Sequence, residues 1–223
     1  FFSLYQNTED YPLSKQYLLN YKNKNKEIPN ILILGDQFNQ FSNYDSYVKG
    51  DFEDITNFMT TRFKVINVPE EELNFLNDIH QSHQAIYDKS LSYYFIEESK
   101  VHEKISPVMS QIIQRGEQIS REDYIGELSR QIEYTNLFNK LLEKYDIDFI
   151  VTPSTASYAP KVGKQEKEDT SLIWTYLGLP AISLPLFFND QMNLPYGLQI
   201  CSFRYNDFSL LEFASQVYEN CRK

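Results

Sequence analysis

Asp148-Phe149-Ile150-Val151-Thr152-Pro153 is a short apolar, β-favouring run closed by a proline. Continuous apolar runs of this length fit a strand buried on both faces, and proline cannot donate to a sheet ladder beyond it. An earlier run, Ile31-Leu32-Ile33-Leu34-Gly35-Asp36, has the same character and stops at Gly-Asp. Between the two, Tyr44 to Arg62 carries Val48, Phe52, Ile55 and Met59 on one stripe at helical spacing. Phe63 to Val68 then reads as another strand, stopped by Pro69. Strand, helix, strand is a βαβ-like unit, and the fold class expected is α/β.

The middle of the chain reads as helical. Glu70 to Gln114 is expected to be mostly helix, with a break at Ser106-Pro107 because the residue before a proline avoids the α region. Ser120-Arg121-Glu122-Asp123 resembles a capping box with Asp in the third place. Behind it, Ile125, Leu128, Ile132, Thr135, Phe138 and Leu142 form one predicted buried stripe. A loop spans 153–168, a short helix runs from Asp169 to Tyr176, and Gly178 and Pro180 end it. Ala181–Phe187 and Tyr196–Ser202 flank Asn189-Asp190 as an antiparallel hairpin. A last helix from Asn206 or Asp207 is expected to bury Leu210, Leu211, Ala214, Val217, Tyr218 and Cys221. Residues 1–27, closing on Tyr21-Lys22-Asn23-Lys24-Asn25-Lys26-Glu27, read as a polar leading segment, and 28–223 as one domain.

Composition removes several function classes. The 223 residues carry 21 Lys and Arg against 31 Asp and Glu, a net charge of −10. That balance argues against nucleic acid, whose binding rests on phosphate neutralisation. No apolar run reaches the roughly 18 residues of a membrane span. Cys201 and Cys221 make no disulfide framework, so a reducing, cytoplasmic compartment is expected. The Lys-, Asn- and Tyr-rich usage matches an AT-rich bacterial genome. Seven glycines is a sparse supply, and no two are close enough to build a phosphate cradle or a nucleophile elbow.

Candidate chemistry is thin. His80 and His83 stand three apart on a predicted helix, but His102 is distant and no His-Glu-x-x-His pattern is present; no metal or cofactor is expected. Ser46-Tyr47-Val48-Lys49 has the Ser-x-x-Lys form without its companion motifs. Ser154, Thr155 and Ser157 lie near Lys161 and Lys164, which is either a Ser–Lys pair or a hydroxyl-rich loop.

The last 80 residues add a family resemblance. Asp169-Thr-Ser-Leu-Ile-Trp-Thr-Tyr-Leu-Gly-Leu-Pro-Ala-Ile-Ser-Leu-Pro185, then Leu194-Pro-Tyr-Gly-Leu-Gln-Ile200 and Asp207-Phe-Ser-Leu-Leu211, resembles the C-terminal part of amidase signature hydrolases. That family includes the A-type component of tRNA-dependent amidotransferases. The resemblance is strong over 120–220 and weaker over 30–115. It implies a mixed sheet covered by helices on both faces and hydrolysis of a carbon–nitrogen amide bond. It also implies a nucleophilic Ser, a second Ser in a cis peptide and a Lys base, held in a Gly/Ser-rich segment. This sequence has no such segment, so no catalytic residue is expected in it. Gln84 stands where many members have Glu, and no role is placed there.

The resemblance therefore implies a C-terminal piece whose missing N-terminal half carries the triad. A non-catalytic binding or scaffold domain of the same fold and an amidotransferase A-type fragment are the alternatives. The expected partners are a small amide substrate in the parent and that missing half, with self-association through an exposed sheet edge. Asp169, Ser171, Trp174 and Thr175 are the substrate-pocket candidates, with Trp174 either a pocket contact or a buried packing residue.

Overall fold

The computed structural model describes residues 26–35, 43–164, 171–189 and 192–221. Its five-stranded sheet has the order β2-β1-β3-β5-β4. The strands are β1 (Asn30–Ile33), β2 (Lys64–Val65), β3 (Phe149–Pro153), β4 (Ala181–Asn189) and β5 (Leu194–Ser202). Around them lie α1 (Ser46–Thr60), α2 (Ile79–Tyr94), α3 (Pro107–Gln118), α4 (Arg121–Lys144), α5 (Ser171–Leu177) and α6 (Asp207–Cys221). β1 runs parallel to β2 and to β3, while β5 runs antiparallel to both β3 and β4. The sheet is mixed, as the resemblance implied.

Alternation along the strands sorts side chains to two faces. Leu32, Leu34, Ile150 and Cys201 point to one face and pack with Phe138, Leu142, Ile173 and Trp174 of α4 and α5. Ile31, Phe149, Val151, Leu198 and Ile200 point to the other and pack with Phe52 and Met59 of α1 and Phe213 and Val217 of α6. Phe149 and Phe213 stack at 4.1 Å with rings 6° from parallel. Both faces of β3 are thus covered, which is why its sequence is apolar without alternation.

The helix boundaries follow local chemistry. Ser106 accepts from the Met109 N–H at 3.2 Å and Pro107 opens α3, so the chain breaks at the expected dipeptide. Ser120 caps α4 by accepting from the Asp123 N–H at 3.0 Å, while its hydroxyl donates to the Asp123 carboxylate at 2.8 Å. Gly116 allows α3 to press on the Asp88 carbonyl of α2, where a Cβ would collide with backbone. Asn30 ties the start of β1 to the turn before β3. Its N–H donates to Asp148 Oδ2 at 2.8 Å, and its amide donates to the Asp146 carbonyl at 2.7 Å.

Four expectations change. The second strand shrinks to Lys64–Val65, and Glu70–Glu72 and Asn74–Asp78 are 3-10 turns rather than α-helix, because tertiary contacts on Leu73 and Leu76 set that path. The predicted stripe of α4 is buried only in its second half, at Phe138 and Leu142; Ile125 and Ile132 are 51% and 64% exposed. In α6 the core positions include Phe213, while Leu211, Tyr218 and Cys221 are half-buried at the margin. β4 is an edge of the described sheet, with Leu184 its single buried residue. Among the described residues no helix is long and apolar enough to cross a membrane.

Candidate functional site

Register assembles a polar row on the sheet face that α5 covers. Thr152 of β3 stands opposite Gln199 of β5, which stands opposite Ser183 of β4, so all three side chains share a face. Thr152 and Gln199 are buried, 1% and 5% exposed, so their polar atoms need partners. The Thr152 hydroxyl donates to Gln199 Oε1 at 3.3 Å. The Gln199 amide then donates to the Ser171 hydroxyl at 3.2 Å, on the first turn of α5. Both ends of the Gln199 amide are used, which fixes its orientation.

Two residues along, Ser154 stands level with Gly197. Its N–H donates to the Gly197 carbonyl at 2.9 Å, extending the β3–β5 ladder. A Cβ on residue 197 would sit 2.9 Å from Ser154 Oγ and closer still to Ser183 Oγ. Two hydroxyls from different strands therefore converge on a glycine that has room for nothing more. Ser154 and Ser171 are half-buried and Ser183 is exposed, so the row opens to solvent beside the β4 edge.

The row is neutral. None of Thr152, Ser154, Ser171, Ser183 and Gln199 is a general base, so the cluster can donate and accept hydrogen bonds but cannot activate a nucleophile unaided. Cys201 lies on the same face, but burial pushes its thiol well up, away from a reactive thiolate.

The pocket candidates separate in space. Ser171 joins the polar row. Trp174 is in the core, 1% exposed, with Phe138 6.0 Å away, and its indole N–H has no partner among the described residues. Thr175 is exposed and spends its hydroxyl on the Ser171 carbonyl at 3.1 Å. Asp169 lies outside the described residues.

The other candidate groups are accounted for locally. The Thr155 hydroxyl donates to the Ser157 carbonyl and the Ser157 hydroxyl to the Tyr158 carbonyl, so both shape the loop after β3. Lys161 and Lys164 are exposed. His83 stacks on Tyr87 at 5.8 Å, and its pKa is lowered by burial first and then by His80. Among the described residues no group of three or more His, Cys, Asp or Glu gathers as a metal site. Ser183 and Gln199 did not stand out as site residues in the sequence. Their signal was one polar residue each inside the apolar runs Ala181-Ile182-Ser183-Leu184 and Leu198-Gln199-Ile200.

A family model described as Amidase matches residues 47–211, well over half of the chain, and takes in the whole polar row. The chain belongs to the amidase family. A rice (Oryza sativa subsp. indica) fatty acid amide hydrolase is 32% identical over 116 residues, 45% of this amidase-family chain and 18% of that protein. The A-type component of the glutamyl-tRNA(Gln) amidotransferase from Thermodesulfovibrio yellowstonii is 36% identical over 87 residues, 35% of this chain and 17% of that one. A solved amidase superposes with a TM-score of 0.74 at 15% identity, over 89% of this chain and 47% of that structure. A 6-aminohexanoate cyclic dimer hydrolase, solved with its substrate, has a TM-score of 0.68 at 14% identity, covering 91% and 46%. The chain spans about half the length of the solved amidases it matches, and its aligned stretch covers less than a fifth of these two curated relatives.

Proposed function

We propose that this chain is the C-terminal part of an enzyme that hydrolyses a carbon–nitrogen amide bond. In this reading it supplies the scaffold and one wall of the substrate pocket, while the Ser–cis-Ser–Lys machinery comes from sequence outside it. The observation that carries the reading is the polar row from Thr152 to Ser183: oriented by hydrogen bonds, open at one end, and without a base of its own. Hydroxyls and a fixed carboxamide suit the carbonyl and N–H of an amide substrate, whereas breaking the bond requires an activated nucleophile. Ser171 would border that pocket, Asp169 and Thr175 remain the further candidates for it, and Trp174 packs in the core.

Two measurements test this. The purified chain, incubated with a simple anilide such as an acyl para-nitroanilide, is expected to release no aniline. Turnover that disappears in Ser154→Ala would place a nucleophile here and overturn the reading. In the gene, a Gly/Ser-rich segment bearing two serines and a lysine is expected in frame with this chain. A reading frame without one would favour a non-catalytic binding domain of the same fold.

A further inference from the structure

We infer that Tyr47 of α1 is a positioning residue for the amide pocket: through Tyr158 it holds the chain that leaves β3, and so sets where Ser154 presents its hydroxyl. The inference rests on the amide reading above, in which Ser154 belongs to the substrate wall. Tyr47 acts through Tyr158 rather than on substrate.

The chain beyond β3 takes its place from α1. Ser154 still follows the ladder, its N–H donating to the Gly197 carbonyl at 2.9 Å, and its hydroxyl leans over Gly197. Past it, the Thr155 and Ser157 hydroxyls bond within the segment, which sets its curvature but not its seat on the protein. The seat comes from the first residues of α1. The N–H of Asp45, the N-cap residue, donates to the Ala156 carbonyl at 3.0 Å. The Tyr158 N–H donates to the Tyr47 hydroxyl at 2.7 Å. Backbone groups that leave a sheet need such partners, and here one helix start supplies both.

Ring packing carries the hold back to the row. Tyr47 and Tyr158 stack at 4.0 Å with rings 6° from parallel. Tyr196 stands edge-on to both, at 5.8 and 5.7 Å, an arrangement that aromatic quadrupoles favour. Tyr196 is buried and directly precedes Gly197, the residue on which Ser154 leans. Three elements thus meet at one point: α1, the chain after β3, and β5. The phenol of Tyr47 is suited to this task. Burial first, and its hydrogen bond to Asp45 as well, push its pKa up, so it stays neutral and keeps a lone pair for Tyr158.

Two measurements test the inference. In this chain, Tyr47→Phe keeps the ring and removes the acceptor, so the Tyr158 amide should exchange about tenfold faster or more by NMR, with α4 unchanged. In the parent enzyme, assayed on a panel of acyl para-nitroanilides, Tyr47→Leu should raise KM about tenfold with kcat within about threefold. A displaced wall residue loses contacts that ground state and transition state share. Tyr47→Phe should raise KM by about threefold. Should Tyr47→Leu fail to fold, Tyr47→Phe decides alone. Met59→Ala, buried further along the same helix, should lower the denaturation midpoint and leave KM within about twofold, which separates positioning from stability. A parent enzyme inert toward the whole panel overturns the amide reading and this inference with it. An active parent whose KM ignores Tyr47→Phe, or a Tyr158 amide whose exchange does not change, overturns this inference alone.

Discussion

The phenol of Tyr176 and the hydroxyl of Ser82 hydrogen-bond at 2.8 Å in the core, where neither side chain is more than 2% exposed. This bond fastens α5, which carries Ser171, to α2. The Tyr176 carbonyl is held as well, by the Gln131 amide of α4 at 2.8 Å. Tyr176→Phe leaves the Ser82 hydroxyl without its partner and should lower unfolding free energy by about 1–3 kcal/mol. Chemical denaturation of Tyr176→Phe, Ser82→Ala and the double variant checks this. The double should cost less than the two singles summed, since both remove the same bond.

Gly197→Ala forces a methyl group against Ser154 Oγ, Ser183 Oγ and the Leu184 carbonyl. The serines can rotate, but the backbone carbonyl cannot. A loss of about 1–3 kcal/mol is expected, read from the denaturation midpoint. Gly197→Ala combined with Ser183→Ala should recover only part of it, because the carbonyl contact remains.

Trp174→Phe removes buried volume beside Phe138 and should cost about 1–3 kcal/mol. An unchanged midpoint would mean that the indole is not seated in the core.

Glu72 accepts from Lys144 Nζ at 2.8 Å and from the Tyr145 hydroxyl at 2.7 Å. The Lys144 hydrogen bond first, and the Tyr145 bond second, hold its carboxyl below the ordinary range. A pKa depressed in the folded state gives stability that is complete above the unfolded carboxyl value, about 4.3, and lost as pH falls through the folded value. Glu72→Gln should therefore be the less stable protein at pH 7, with the gap closing below pH about 4. Denaturant midpoints at a series of pH values give the sign directly.

Legibility in the sequence followed burial. β1 and β3 are sandwiched between helices, so their apolar runs announced them, and the helix ends at Ser106-Pro107 and Ser120 were written in cap chemistry. β4 was legible as one arm of a hairpin, while its place at an edge of the described sheet shows only in the pairing, since its apolar residues look the same either way. Ile125 and Ile132 misled for a related reason, since helical spacing reports a stripe without reporting what covers it. The polar row was not legible because its members lie on three strands and a helix, joined only by register. Ser171 was reached through the family resemblance, while Gln199 and Ser183 needed the sheet.

The strand order also bears on synthesis. β3 takes its neighbours from opposite ends of the chain: Ile31 pairs with Phe149 on one side, and Ser202 pairs with the same residue on the other. A ribosome delivers β1 long before β3, and β5 follows later still. Until β3 emerges, β1 has only the two-residue β2 beside it among the described strands, and its apolar faces stay open. Non-local pairing of this kind slows closure and leaves the nascent chain dependent on shelter from aggregation. Stalled nascent chains ending before Phe149 should therefore be sensitive to protease in the β1 region, while the released chain resists.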